Sequence, residues 1–163
     1  MGEGVAVSRV VIYNPNDGDA SHASHVSARL SNSVVSLLNY QGNTLKTYSI
    51  GDATNVPVFD IIFAHSPTTS KPTSSPTSIP TASPSINAAL VHKVRVQLLG
   101  ANYLHMREVQ VFDNSGVNRA LNKPATQSST YILHSWGSDE ASKAVNGNLT
   151  DFSHTYSDAG NVP

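Results

Sequence analysis

Residues 66–85 cannot join a hydrophobic core. Five Pro, seven Ser and five Thr make up 17 of these 20 positions, in a loose four-residue repeat: Ser-Pro-Thr-Thr, Ser-Lys-Pro-Thr, Ser-Ser-Pro-Thr, Ser-Ile-Pro. Such a stretch has too little apolar surface to offset the entropy of ordering it. An extended, semi-rigid, disordered linker of polyproline-II type is expected. Its composition suits an O-glycosylated stalk of a secreted or wall-associated protein, and equally a plain flexible tether. It divides the chain into a first block, 1–64, a linker, 65–92, and a second block, 93–163.

Both blocks have the pattern of short strands. Val5 to Tyr13 is rich in β-branched residues and is stopped by the turn chemistry of Asn14-Pro15-Asn16-Asp17-Gly18-Asp19. Val34–Leu38 and Thr44–Ile50 flank Asn39-Tyr40-Gln41-Gly42-Asn43, which predicts a hairpin. Val56–Phe63 is a further strand, with Pro57 confined to its start or to an edge. Lys93–Leu99 alternates almost strictly, as a half-buried antiparallel strand does. Leu104–Phe112 follows after the turn Gly100-Ala101-Asn102, and only Glu140–Val145 could make a short helix. No amphipathic repeat of helical length occurs. The expected class is therefore all-β, a sandwich or jelly roll with long loops.

Composition narrows the chemistry. The net charge of -1 offers no basic surface for nucleic acid or an anionic membrane. Without cysteine there is neither a disulfide framework nor a thiolate zinc site. No run of 18 apolar residues could span a bilayer. The start, Met-Gly-Glu-Gly-Val-Ala-Val, is not a signal peptide, and Ala6 breaks the myristoylation pattern. An extracellular setting then implies a leader outside this sequence. No nucleophile elbow, zincin helix or phosphate loop is present, and adjacent Asp139-Glu140 reads as a solvated turn, so no enzyme is expected.

One long pattern is more specific. Asn118-Arg119-Ala120-Leu121-Asn122-Lys123-Pro124-Ala125-Thr126-Gln127-Ser128-Ser129, then Ala141-Ser142-Lys143-Ala144-Val145-Asn146-Gly147-Asn148, then Ser153-His154-Thr155 resembles the opening of a fucolectin, or F-type lectin, domain. These domains belong with the discoidin and coagulation-factor type C modules, all galactose-binding-like jelly rolls. The first block is similar to the family's second half, in Val7-Ser8-Arg9-Val10-Val11-Ile12-Tyr13-Asn14 and in Arg29-Leu30-Ser31-Asn32-Ser33-Val34-Val35-Ser36-Leu37-Leu38. Val94 to Phe112 resembles the family's last strand pair. The order is thus second half, linker, first half, and the family's Trp-Trp-x-Val-Asp strand is missing between 163 and 1. Two origins fit: a fragment cut from two successive tandem repeats, with halves able to dock, or one circularly permuted domain. Docking to a second copy or a neighbouring repeat is a further possibility under the first. The missing strand is expected to leave unpaired edges and a breached core.

The resemblance implies a site. The family holds fucose with one His and two Arg, whose N–H groups donate to sugar oxygens. His154 matches the His and Arg29 one Arg, while Pro15 stands where the other should be. Asp17 is the added candidate for the sugar site, with Asp19, His22 and His25 of the same loop as possible replacement contacts. For the family's calcium ion the resemblance implies the Lys143 carbonyl, the side chains of Asn146 and Asn148, a Ser153 oxygen and Glu108. Ca²⁺ takes six to eight such oxygens, and Asn146 replaces the usual Asp with a neutral amide. A loop closed by Asn-Gly turn chemistry without an ion is the alternative. Asn148-Leu149-Thr150 is also a glycosylation sequon, and glycosylation there conflicts with Asn148 as a ligand.

The expected function is a calcium-stabilised lectin-like module whose partner is a glycan or glycoprotein, with fucose or another sugar as ligand. The other reading is an extracellular adhesion or structural module that binds protein or membrane through Tyr131, Trp136 or Tyr156. A third is a targeting module appended to an enzyme. Aromatics sharing a rim with His154 would favour glycan, and a separate aromatic patch adhesion.

Overall fold

The computed structural model describes residues 3–15, 27–63, 90–133 and 137–156. The Pro/Ser/Thr run, Asp17, Asp19, His22, His25 and Trp136 lie outside the described residues. In chain order the strands are β1 (Val7–Tyr13), β2 (Ser33–Leu38), β3 (Thr44–Ile50), β4 (Val58–Ile62), β5 (Lys93–Leu98), β6 (His105–Met106), β7 (Glu108–Asp113), β8 (Ile132–Leu133), β9 (Gly137–Ser138) and β10 (Ser153–His154). Two 3-10 turns, Ala28–Leu30 and Ala141–Val145, complete the regular structure. The protein is all-β, as its strand patterning predicts.

Two three-stranded antiparallel sheets form the body, ordered β4-β1-β7 and β3-β2-β5. Each places a first-block strand at its centre and a second-block strand at one edge. Val10 of β1 pairs with Ile61 of β4 on one side and Val111 of β7 on the other. Val35 of β2 pairs with Tyr48 of β3 and Val96 of β5. The blocks therefore meet within shared sheets and within one core. Val10, Ile12, Leu30 and Val35 are fully buried, and Val109 and Val111 from the second block pack into the same cluster. Val91, at the end of the segment read as linker, is buried there too and bridges to Val5. Exposed apolar residues lie on β3, β4 and β8, where Ile62 of β4 is 75% exposed, and in loops, as Leu99, Val117 and Leu149 do.

Local sequence explains the shape of each strand. β1 is flanked on both sides, so Val11 is buried along with Val10 and Ile12, and simple alternation fails there. β3 lies at an edge and is polar except at Leu45, Tyr48 and Ile50. The β2–β3 hairpin turns at Gly42, whose φ of +84° suits a residue without Cβ. Asn39 supports that turn by accepting the Asn43 N–H at 2.8 Å. The expected Leu104–Phe112 strand is bent at Arg107 into β6 and β7, whose partners lie in different sheets. Glu140–Val145, read as a short helix, is a 3-10 turn.

Asn14 ties the irregular chain to this frame. It is buried, and its amide nitrogen lies at 2.9 Å from the Ser27 carbonyl, 3.2 Å from that of Ala53 and 2.9 Å from that of Val56. Its backbone N–H donates to Pro57 O at 2.8 Å. Replacing Asn14 by Ala strands these buried carbonyls, each worth about 1–3 kcal/mol when left unpaired. We predict that Asn14→Ala destabilises the protein by roughly 2–4 kcal/mol in urea unfolding; a loss below about 0.5 kcal/mol, the scale of an inert surface change, would refute the role of the amide.

Candidate functional site

The chain just after Ser27 is fixed at both ends. Asn14 holds Ser27, Leu30 is buried in the core, and the Ser33 hydroxyl donates to Leu30 O at 2.8 Å. Ser31 Oγ accepts the Ala53 N–H at 2.8 Å. The 3-10 turn between these anchors places Arg29.

The second block supplies two imidazoles. In the short β6–β10 pair, His105 stands directly opposite His154. Their rings stack with centroids 4.7 Å apart and planes 19° from parallel. Thr155 extends the pairing: its N–H donates to Leu104 O, and its hydroxyl oxygen accepts the Leu104 N–H. On its other side the His154 backbone donates to Asp139 O and accepts the Tyr131 N–H. Gln127 Nε2 also reaches His154 O, at 3.3 Å.

Arg29 joins both rings. Its Nη1 lies 3.3 Å from His105 Nδ1 and 3.3 Å from His154 Nε2. A guanidinium only donates, so those two nitrogens must carry lone pairs. Both imidazoles are then neutral, His105 protonated on Nε2 and His154 on Nδ1. Their electrostatics agree. Burial, then the charges of His154, Arg29 and Arg107, lowers the His105 pKa to about 2. Burial and then Arg29 lower that of His154 to about 4, against an opposing contribution from Asp139.

Aromatic rings surround the cluster. The Arg29 guanidinium sits 5.2 Å from the Tyr103 ring centre, and Phe152 packs edge-on against His105 at 4.2 Å. Tyr131 lies 4.7 Å from His154, and Tyr156 stacks on Tyr131 at 6.0 Å. Two open depressions, of about 330 and 300 Å³, are lined by Ser31, Asn32 and residues 98–102 and by residues 125–127, Thr130 and residues 140–142; no residue of the Arg29–His105–His154 cluster lines either.

The structure therefore brings together Arg29 and His154, 125 positions apart in sequence. Asp17 lies outside the described residues, and Pro15 is buried. Sequence reasoning missed His105 and Tyr103. Nothing in the mixed Leu104–Phe112 segment singles out His105; strand register reveals that it faces His154.

The residues named for calcium are partly gathered. Glu108, at the start of β7, is fully buried; its Oε1 accepts the Gly147 N–H at 3.1 Å, and its Oε2 has no hydrogen-bond partner among the described residues. Burial, and after it the Asp151 charge, raises its pKa, against the pull of the Gly147 and Asn146 N–H groups. Gly147 has φ +82°, the left-handed turn expected of Asn-Gly. Asn146 Oδ1 accepts the Asn148 N–H, while Asn148 Oδ1 accepts from Thr150 N and Oγ1, so that side chain serves its own turn. Ser153 Oγ donates to Met106 O at 3.4 Å, and the Lys143 side chain pairs with Asp139 at 3.1 Å. Among the described residues no three His, Cys, Asp or Glu side chains group around one point. The fit to calcium rests on Glu108, whose orphaned buried oxygen is suited to a hard cation that takes oxygen ligands.

No family model matches the chain, and no curated protein or solved structure matches it significantly. Among the described residues no helix is long and apolar enough to cross a membrane.

The imidazole geometry predicts a pH response. Folded-state pKa values below the ordinary 6.5 mean that the unfolded chain takes up protons first. Stability from the two neutral rings is complete above pH 6.5 and is lost as pH falls through the His154 value of about 4 and on toward that of His105. In an NMR titration of the folded protein, neither ring should show a midpoint between pH 6 and 7, and ordinary titration of both would refute the cluster.

Proposed function

We propose that this chain is a lectin-like carbohydrate-binding module of an extracellular protein, with its ligand held at the Arg29–His154 pair. The carrying observation is that these two residues, named independently from a sugar-site resemblance, lie 3.3 Å apart across the two blocks. A guanidinium has five N–H donors in a planar fork, more than the two imidazoles consume. Sugar hydroxyls are suited to such donors, and the His154 Nδ1–H adds another. The fucolectin-like jelly roll belongs to the same proposal, and the mixed sheets support a joined arrangement of the two halves.

The aromatics favour a glycan over an adhesive patch. Tyr131 borders His154, and Tyr156 stacks on Tyr131, so neither stands apart from the cluster. Aromatic faces beside a polar fork suit a ring that is apolar on one face and hydroxylated at its edge. Pro15, in place of a second Arg, removes one donor fork, so a glycan other than fucose, or weak fucose binding, is the reading the site supports.

Calcium is part of this proposal. Glu108 and oxygens of the 143–153 segment would hold the ion, which would supply positive charge to a loop that closes on a buried carboxylate. The residues of the chain do the rest: the Gly147 N–H orients Glu108, and the loop leads through Phe152 into β10.

Two measurements test this. On a glycan array the protein should bind discrete sugars, and Arg29→Lys should weaken binding on the order of tenfold or more, the cost of a charge-assisted hydrogen bond, and His154→Ala by about threefold to tenfold, the cost of a neutral one. Binding unchanged in both variants would remove the site assignment. In a thermal melt, excess Ca²⁺ should raise the midpoint by several degrees over chelator, since about 100 Kd of ligand stabilises by about 2.7 kcal/mol. Superimposed melts would leave the Asn-Gly turn as the sole account of the loop.

A further inference from the structure

Glu108 is not the only carboxylate in its loop with an unsatisfied oxygen. Asp151 Oδ1 is also buried and has no hydrogen-bond partner among the described residues. Its other oxygen, Oδ2, accepts from Asn146 Nδ2 at 3.0 Å. Asn146 thereby links the two acids, because its backbone N–H and that of Gly147 are turned to Glu108. The start of β7 and the loop facing it thus each hold a carboxyl group with one buried oxygen left over. Burying even one unpaired carboxylate oxygen is costly, and two that repel each other cost more. Of the nearby cationic side chains, Lys143 pairs with Asp139, and Arg107 Nη1 donates to Leu149 O at 2.9 Å.

We propose that Asp151 is a ligand of the cation at Glu108 and supplies the second negative charge that the neutral Asn146 does not. The proposal rests on the calcium reading above. It identifies a donor that the sequence resemblance does not name, in a loop where Asn148 has turned its side-chain oxygen to Thr150. The two orphaned oxygens, on residues linked through Asn146, carry the proposal; amide and backbone carbonyls of the loop would have to supply the remaining oxygens that Ca²⁺ takes. Asn146 positions Asp151 through its amide, which explains how a neutral residue can stand next to a divalent cation without leaving the site short of charge.

The test is calorimetric titration of the full chain with CaCl₂, beside thermal melts in chelator. Asp151→Asn should weaken Ca²⁺ binding by at least about tenfold, because affinity follows the number of ligand charges. Its melt in chelator should be no lower than that of the unmodified chain, since one of two repelling charges has gone. The double variant Asn146→Asp/Asp151→Asn, which moves the second carboxylate back to position 146, should recover most of the affinity. Undiminished binding by Asp151→Asn, in a protein that does bind Ca²⁺, overturns the role of Asp151 alone. Absence of any Ca²⁺ binding by the unmodified chain overturns the calcium reading and this ligand with it. Should Asp151→Asn melt lower in chelator, the double variant decides: recovered affinity supports the charge argument, and affinity that stays low refutes it.

Discussion

The buried amide of Asn14 is the constraint on which the irregular half of this protein depends. A sheet of β-branched residues organises itself through backbone pairing and apolar burial, and β1 does so with both neighbours. The loop segments at Ser27 and Ala53–Val56 have no such ladder. Their carbonyls are drawn to one side-chain nitrogen at the end of β1. That contact converts the rigidity of the central strand into a fixed position for the Arg29 turn. Without it the cationic fork would have no reason to meet imidazoles contributed by the other block.

Arg29 in turn decides what those imidazoles are. Stacked rings at 4.7 Å tolerate at most one positive charge, and a neighbouring guanidinium removes even that. The site therefore holds one permanent cation and two neutral rings rather than three interchangeable charges. Its donors are directional and do not change over the ordinary pH range. A neutral, hydroxyl-rich ligand suits this arrangement better than a phosphate or carboxylate, for which a cluster of full charges would serve.

Much of the fold was legible because its strands obey local rules. Lys93–Leu99 alternates, and Val34–Leu38 and Thr44–Ile50 flank a turn with Asn and Gly; all three form strands within a residue of the expected bounds. The break at Arg107 was not legible, since β6 and β7 follow one another with a single residue between them and only their sheet partners tell them apart. Arg29 and His154 were found through the motifs around them. His105 carried no motif: its importance arises from the register His154↔His105, a long-range property no window of sequence contains. Asp151 was hidden for a similar reason. Acidic residues in loops are common, and what distinguishes this one is a buried oxygen with nothing to accept from.

The loop that faces Glu108 and the imidazole cluster are joined through short stretches of chain. Asp151 is followed by Phe152, whose ring packs on His105, then by Ser153, which pairs with Met106, then by His154 itself. On the other strand Glu108 lies two residues beyond Met106. Both sides of the β6–β10 pair therefore run from the carboxylates to the imidazoles within three residues. On the calcium reading proposed above, an ion held by Glu108 and Asp151 would brace the strands that carry the stacked rings, and by linkage a ligand that needs the rings stacked would favour the ion. A neutral Asn at 146 is compatible with this coupling only while the charge is kept elsewhere in the loop, and Asp151 is the residue placed to keep it.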